Sequence, residues 1–282
     1  MAKFKETAMH YVFMLTACVS IAAVAVICVY LLANGIPTIA EISLGNFFGT
    51  VWKPSQDLYG IFPFIVGSIY VTAGAIVVGV PVGILCAVFL AKFCPKRLYQ
   101  VLNPAVRLMA GIPSIVYGFF GLMVIVPAVQ QLTATSGKGL LTASVLLGIM
   151  ILPTIIGTAE PALRAVPESY YEGALALGAT HERSTFTAVL PAAKSGVMSG
   201  VILGVGRAIG ETMAVIMIAG NQTRMPGGLL DGLRTMTSNI VLEMGYSTGL
   251  HRQALIATGV VLFVFILIIN TCFSLMKRRS DP

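Results

Sequence analysis

Six stretches of this chain are apolar for about the thickness of a lipid bilayer, and nothing else in the sequence constrains the fold as strongly. A helix crosses the hydrocarbon core with ~20 mostly apolar residues. Residues 11–33, 61–91, 108–130, 140–158, 192–220 and 254–276 all qualify. The second and fifth are long enough to tilt or to extend past the bilayer. The expected fold is all-α, a polytopic membrane protein with six transmembrane helices in a single domain over residues 1–282. Composition agrees, since 57% of the residues are hydrophobic and only 10% are charged, against about 25% charged in soluble domains.

An even number of spans puts both termini on one side, and Lys and Arg decide which side that is. With both termini inside, 12 basic residues are cytoplasmic: Lys3, Lys5, Lys92, Lys96, Arg97, Arg107, Arg164, Arg183, Lys194, Lys277, Arg278 and Arg279. Five are outside (Lys53, Lys138, Arg224, Arg234, Arg252), and Arg207 is the one left over. The net charge of +7 therefore follows topology. Nucleic acid is not an expected partner, because the basic residues form no stripe beside aromatics. The five cysteines lie in or beside apolar runs without a CxxC or Cys/His cluster, so neither a disulfide nor a metal is expected. Lys3 and Lys5 precede the first run as in a signal peptide. That run exceeds the roughly 7–15 residues of a cleaved h-region and is expected to remain as a first span.

Between the spans the sequence changes character. Residues 34–60 hold Phe47, Phe48, Trp52 and Tyr59, aromatics that favour the headgroup layer, so the segment is expected along the outer surface. Residues 92–107 are basic, with Pro95 and Pro104 discouraging a continuous helix, and are expected to form a cytoplasmic turn. The third span opens with AGIPSIVYGFFGL. Its small residues suit close helix packing, and Pro113 would free a carbonyl one turn earlier. Ser114 and Tyr117 fit either a helix interface or a pathway lining. The fourth span is expected to leave the membrane at Glu160 and Pro161. Residues 221–253, with Asp231, Arg234 and Glu243, fit an outer gate, a dock for a delivery protein or a plain loop.

Residues 160–191 are polar and helix-forming between two apolar runs, so they belong at the cytoplasmic surface. Pro167-Glu168-Ser169 reads as a helix start, with Glu168 complementing the positive end of the dipole. Tyr170, Tyr171, Ala174, Leu175 and Leu177 follow, and Gly178 is a natural stop. Thr180 can cap a second short helix that runs through Phe186 and Leu190 to Pro191. The expected result is a compact two-helix knob.

The spacing within this knob resembles a known pattern. Glu172-Gly173-Ala174, three residues, Gly178, nine residues, then Ala188-Val189-Leu190-Pro191 is similar to the EAA loop of ABC-importer permeases. Glu172, Ala174, Gly178, Leu190 and Pro191 match, while Gly173 and Ala188 depart from the consensus at kept spacing. The segments AGIPSIVYGFFGL and GRAIGETMAVIMIAGN further resemble phosphate-import permeases, and ETMAV followed by GN is closer to the PstC-type than the PstA-type subunit.

The resemblance implies a type I ABC-importer permease in a bacterial or archaeal cytoplasmic (inner) membrane. Its EAA loop, about residues 160–191, would be a coupling helix docked on a separate ATPase. The implied partners are a second, PstA-type permease, two ATPase subunits, an extracytoplasmic phosphate-binding protein and membrane lipid. ATP and Mg would be bound by the ATPase and no cofactor by this chain, which holds no GxxxxGK[ST] phosphate loop. It would be a transporter subunit rather than an enzyme.

Arg207 and Glu211 are stranded in the fifth apolar run. A lone cation at mid-bilayer costs from ~2.5 to over 10 kcal/mol. One turn apart, the two residues can pair on one helix face. Gly196, Gly200, Gly204, Gly206 and Gly210 are expected to bring neighbouring backbones close to that face. Ionisable residues within spans usually line a pathway, and guanidinium presents a planar donor fork to oxyanions. Arg207, Glu211, Ser114 and Tyr117 are the candidate pathway residues. Glu211 is expected to accept a hydrogen bond from the P–OH of hydrogen phosphate, which sulfate lacks, or to neutralise Arg207 between transport events. A permease for molybdate or sulfate remains open at this point. So does a membrane enzyme with Glu211 or His181 as general base, although no nucleophile or metal constellation accompanies them.

Overall fold

The computed structural model describes residues 2–278, and these are predominantly helical. In chain order, α1 (Ala2–Ile42) is followed by α2 (Leu44–Phe47) and a small antiparallel hairpin, β1 (Trp52–Lys53) with β2 (Leu58–Tyr59). Next come α3 (Phe62–Val88), a π turn at Phe89–Phe93 and α4 (Lys96–Ala110). The third span is α5 (Ser114–Phe120), a π turn at Gly121–Ile125 and α6 (Val126–Thr133). α7 (Leu140–Arg164) is the fourth span. The knob contains α8 (Glu168–Ala176), α9 (His181–Ser184), a π turn at Thr185–Val189 and α10 (Leu190–Ala192). α11 (Lys194–Gly210), α12 (Met213–Ile218), α13 (Met236–Met244) and α14 (Gly249–Arg278) complete the chain. Among the described residues, five helices are long and apolar enough to cross a membrane, and the pair His181–Ala192 and Lys194–Gly210, bent by 74°, supplies a sixth if taken as one.

The centre of the bundle is α7, clasped by α3 on one side and α11 on the other. Lipid is as apolar as leucine, so helices associate there through close packing over small residues rather than through apolar burial itself. A Cβ on Gly79 of α3 would lie 2.6 Å from the Gly148 carbonyl oxygen of α7. Leu146, Leu147, Met150, Ile151 and Ile155 fill the core beside this seam. On α11, a Cβ added at Gly200 or Gly204 would lie 3.0–3.1 Å from Ile155, and one at Gly196 would collide with Ala162.

Several expectations are corrected. α1 does not stop near residue 33 but continues through Pro37 to Ile42. The aromatics after it are largely internal: Phe47, Trp52 and Tyr59 are buried and only Phe48 is exposed. Residues 96–107 belong to the amphipathic helix α4 rather than to a turn, with only residues 94–95 non-helical before it. Pro104 is tolerated because the carbonyl it leaves unpaired belongs to Gln100, an exposed residue whose backbone water can reach. Pro113 stands just before α5, with φ −60° and ψ 141°, so it starts a helix instead of kinking one. α7 runs on past Glu160 to Arg164; Glu160 is buried, paired with Arg164, and accepts from the Tyr99 hydroxyl at 3.1 Å. The expected anchors Lys3, Lys5 and Lys277-Arg278-Arg279 lie outside the residues whose side chains are described.

Residues 221–253 are not a plain loop. Glu243 is buried and accepts from Arg234 Nη1 at 2.5 Å and Trp52 Nε1 at 2.9 Å, and its Oε2 lies 2.9 Å from His251 Nε2. Arg234 also donates to Asn239 Oδ1 at 2.8 Å, and His251 stacks on Tyr59. Burial, then the Asp57 carboxylate, pushes the Tyr59 hydroxyl up to about 12. One carboxylate thus ties the hairpin, α13 and α14 together. Ser68 of α3 accepts from Met236 N at 3.0 Å, which fixes α13 on the bundle as well.

Two stability predictions follow from these contacts. Glu243→Ala leaves Arg234, largely shielded from solvent, without its carboxylate and lowers stability by about 3 kcal/mol, measured as the thermal unfolding of the purified protein; adding Arg234→Met recovers part of the loss. Gly79→Ala, pressed against a backbone oxygen, costs about 1–3 kcal/mol in the same measurement.

Candidate functional site

Two places bear on function, one at the knob and one where the fifth span breaks. In the knob, Pro167 precedes α8, Gly178 ends it at φ +84°, and Thr180 Oγ1 accepts from Arg183 N at 3.3 Å to cap α9. The Glu182 carboxyl is held below its usual range by a hydrogen bond from its own backbone N–H, then by one from Thr180. Glu168, in the first turn of α8, pairs with Lys92 at 3.2 Å. Tyr171 Oη lies 2.6 Å from His181 Nδ1, and the His181 ring rests 4.4 Å from that of Phe93. His181 is therefore clamped between helices rather than solvated, and these bonds key α8 and α9 to the π turn that ends α3.

The knob's outer face is free. Glu172, Gly178 and Pro191 are exposed, and Ala174 and Leu190 are half-buried. Around them stand Tyr170, Leu175, Leu177 and Phe186, all exposed, with Leu177 at 90%. Apolar side chains held on a rigid, partly charged knob mark a protein contact surface.

The fifth span is broken rather than continuous. α11 ends at Gly210, Glu211 is extended (ψ 128°), and α12 starts at Met213. Backbone released in a membrane must find partners, and local side chains supply them. Glu211 Oε1 accepts from Ala214 N at 3.1 Å, and Thr212 Oγ1 donates to Gly210 O at 3.2 Å. The Glu211 carbonyl accepts from Thr237 Oγ1 of the outer segment at 3.2 Å.

This break overturns the expected Arg207–Glu211 pair. Once α11 ends, Glu211 no longer follows Arg207 around one helix face, and its carboxylate turns to the amides of α12. Among the described residues Arg207 has no ion pair or hydrogen bond to its side chain. It is half-buried in the last turn of α11. Tyr117, on α5, is buried and donates its hydroxyl to Met109 O at 2.9 Å. Ser114, half-buried, opens α5, and α5 packs on α12.

The glycines divide between two roles. Gly196, Gly200 and Gly204 form the seam on α7, whereas Gly206 and Gly210 have no atom within 4 Å of an added Cβ. With exposed Leu203 they make an open stripe beside Arg207, at three- and four-residue spacing. A cation that keeps its hydrogen-bonding capacity beside an open stripe is available to an anion. The Arg234–Glu243–His251 cluster was not foreseen as a unit, because its members are far apart in sequence and share no local spacing.

The family model for "Binding-protein-dependent transport system inner membrane component" matches residues 79–282. The probable ABC transporter permease protein YqgH of Bacillus subtilis is 38% identical over 255 residues, covering 87% of this chain and 81% of that one. The phosphate transport system permease protein PstC of Mesorhizobium japonicum is 36% identical, covering 82% and 77%. Among solved structures, the bacterial alginate ABC transporter in complex with alginate pentasaccharide-bound periplasmic protein aligns over 95% of this chain and 94% of its own, with TM-score 0.64. At 15% identity that likeness speaks to the fold alone, which is that of type I ABC-importer permeases. The chain belongs to the binding-protein-dependent transport system inner membrane components, a family of ABC permeases.

Proposed function

We propose that this chain is the PstC-like permease subunit of an ATP-binding-cassette importer for inorganic phosphate, one permease domain that provides part of the translocation pathway. The observation that carries the cargo reading is Arg207, a half-buried guanidinium without a partner among the described residues, beside an open stripe at the break of the fifth span. Similarity to phosphate permeases over most of the chain supports it. Arginine stays protonated and offers a donor fork to phosphate oxygens. A single such group binds the ion without trapping it. Glu211 keeps one carboxylate oxygen beyond that used by Ala214 N, and this oxygen can accept a hydrogen bond from the P–OH of hydrogen phosphate. Ser114 and Tyr117 line the same route from α5.

Energy enters at the other end. Glu172, Ala174, Gly178, Leu190 and Pro191 present the knob to one ATPase of a pair, which binds ATP and Mg. A PstA-type permease forms the other half of the pathway, and a phosphate-loaded binding protein delivers the ion outside. The protein lies in the cytoplasmic membrane with both termini inside. ATPase closure pushes the knob, and α11 carries the displacement to the break.

Reconstituted into liposomes with its partners, the Arg207→Ala transporter takes up labelled phosphate about 10- to 100-fold more slowly, the worth of one charge-assisted hydrogen bond. Arg207→Lys retains more uptake than Arg207→Ala. Uptake unchanged by Arg207→Ala removes the cargo assignment. Gly178→Val forces a branched side chain into the left-handed region, at ~1–2 kcal/mol. Together with Glu172→Ala it releases the ATPase during co-purification; an ATPase that stays bound rejects the coupling role.

A further inference from the structure

Where α1 and α14 meet, a cavity of about 470 Å³ opens toward the surface, within the ~300–1,000 Å³ of small-ligand sites. Its floor is one stripe of α14, in which Arg252, Leu255, Gly259, Leu262 and Ile266 recur at three- and four-residue spacing. At ~1.5 Å per residue this stripe runs ~21 Å from Arg252 to Ile266. One leaflet accounts for half of the ~30 Å hydrocarbon core. A groove that starts at Arg252, in the first turn of α14, therefore reaches the bilayer midplane.

Two independent features of this groove go together. The first is charge: Arg252 is the single ionised residue of an otherwise predominantly apolar wall. It is exposed, and no side chain among the described residues pairs with it. The nearest acid on the adjacent helix, Glu243, is already engaged by Arg234, His251 and Trp52. Tyr30 of α1, a residue type that favours the headgroup layer, stands at the same cavity.

The second feature is shape. Glycine inside a helix is less favourable than alanine by ~1 kcal/mol, so a glycine there calls for a reason. Gly35 of α1 has one, because a Cβ there would collide with Val260 and press on Ala257 Cα at 3.2 Å. Gly259 does not: an added Cβ would meet only Leu31 Cδ2 at 3.6 Å, ordinary contact. Gly35 makes the seam between the helices, and Gly259 leaves a hollow in the groove floor.

We propose that this groove holds one anionic glycerophospholipid, with an acyl chain along the α14 stripe over Gly259 and its phosphate on Arg252. An apolar channel of leaflet depth, closed at its interfacial end by a lone guanidinium, complements such a lipid in both charge and length. The site is separate from the knob and from the broken span, and it does not depend on which ion is transported.

The test is native mass spectrometry of the detergent-purified transporter titrated with phosphatidylglycerol or phosphatidylcholine of identical chains. The wild type retains one phosphatidylglycerol in preference to phosphatidylcholine. Arg252→Gln reduces that preference by about fivefold, the weight of one cation near an anionic headgroup. Gly259→Leu fills the hollow and lowers retention of both lipids. Gly259→Ala, whose Cβ fits, keeps the fold and lowers retention by less, so it decides the matter if the leucine variant fails to assemble. Retention indifferent to the glycine variants reduces the effect to surface attraction and overturns the proposal. So does a lipid preference untouched by Arg252→Gln, or displacement of the lipid by inorganic phosphate. Photo-crosslinks from position 263 that reach another permease instead of lipid overturn it as well, making the groove a protein interface.

Discussion

A peptide group in hydrocarbon has no water to turn to, and this rule governs the whole molecule. Nearly every backbone bond in the spans is closed within its own helix. The chain departs from this between Gly210 and Met213, in the apolar run where sequence alone would continue a helix. There the Glu211 carboxylate, the Thr212 hydroxyl and Thr237 from the outer segment replace the missing helical bonds. The break is stable because these partners are local and rigidly held, and it leaves Arg207 at the end of α11 with its donors uncommitted.

α11 links this break to the knob. At its start the chain bends by 74° into the knob, and along its length Gly196, Gly200 and Gly204 seat it on α7. A seam of small residues lets the two helix backbones approach closely. The knob itself is stiff, because Tyr171, His181, Phe93, Lys92 and Glu168 bind it to the end of α3. Displacement there passes into the bundle instead of being absorbed in a loop.

The outer half is organised by the opposite means. Buried charge costs more than packing gains unless it is fully paired, and Glu243 satisfies three donors from three separate parts of the chain. This cluster adds order more than it adds energy, since it fixes the hairpin, α13 and α14 in one arrangement. Thr237 then connects that arrangement to the break. Residues 221–253 and the break after α11 consequently share a rigid support.

Much of this was legible in the residues. Apolar length set the spans, and local chemistry set the knob: Pro167 before α8, Gly178 in the left-handed turn and Thr180 at the next cap all act within a few residues of themselves. Arg207 stood out because a charge among apolar neighbours needs no neighbour in space to be noticed. What the sequence did not contain was who meets whom at a distance. Trp52 and Tyr59 read as headgroup aromatics until Glu243 and His251, some 190 residues on, make them a core. Pro104 read as a breaker until the exposure of Gln100 made its lost bond harmless. Arg207 and Glu211 read as a pair because helical spacing was assumed to persist, and only the structure, with the Glu211 side chain on Ala214 N and its carbonyl on distant Thr237, reveals that it ends. Local periodicity and capping are encoded over one or two turns and so can be read in order. The pairing of buried polar groups depends on which helices pack together, and that is settled only when the whole bundle closes.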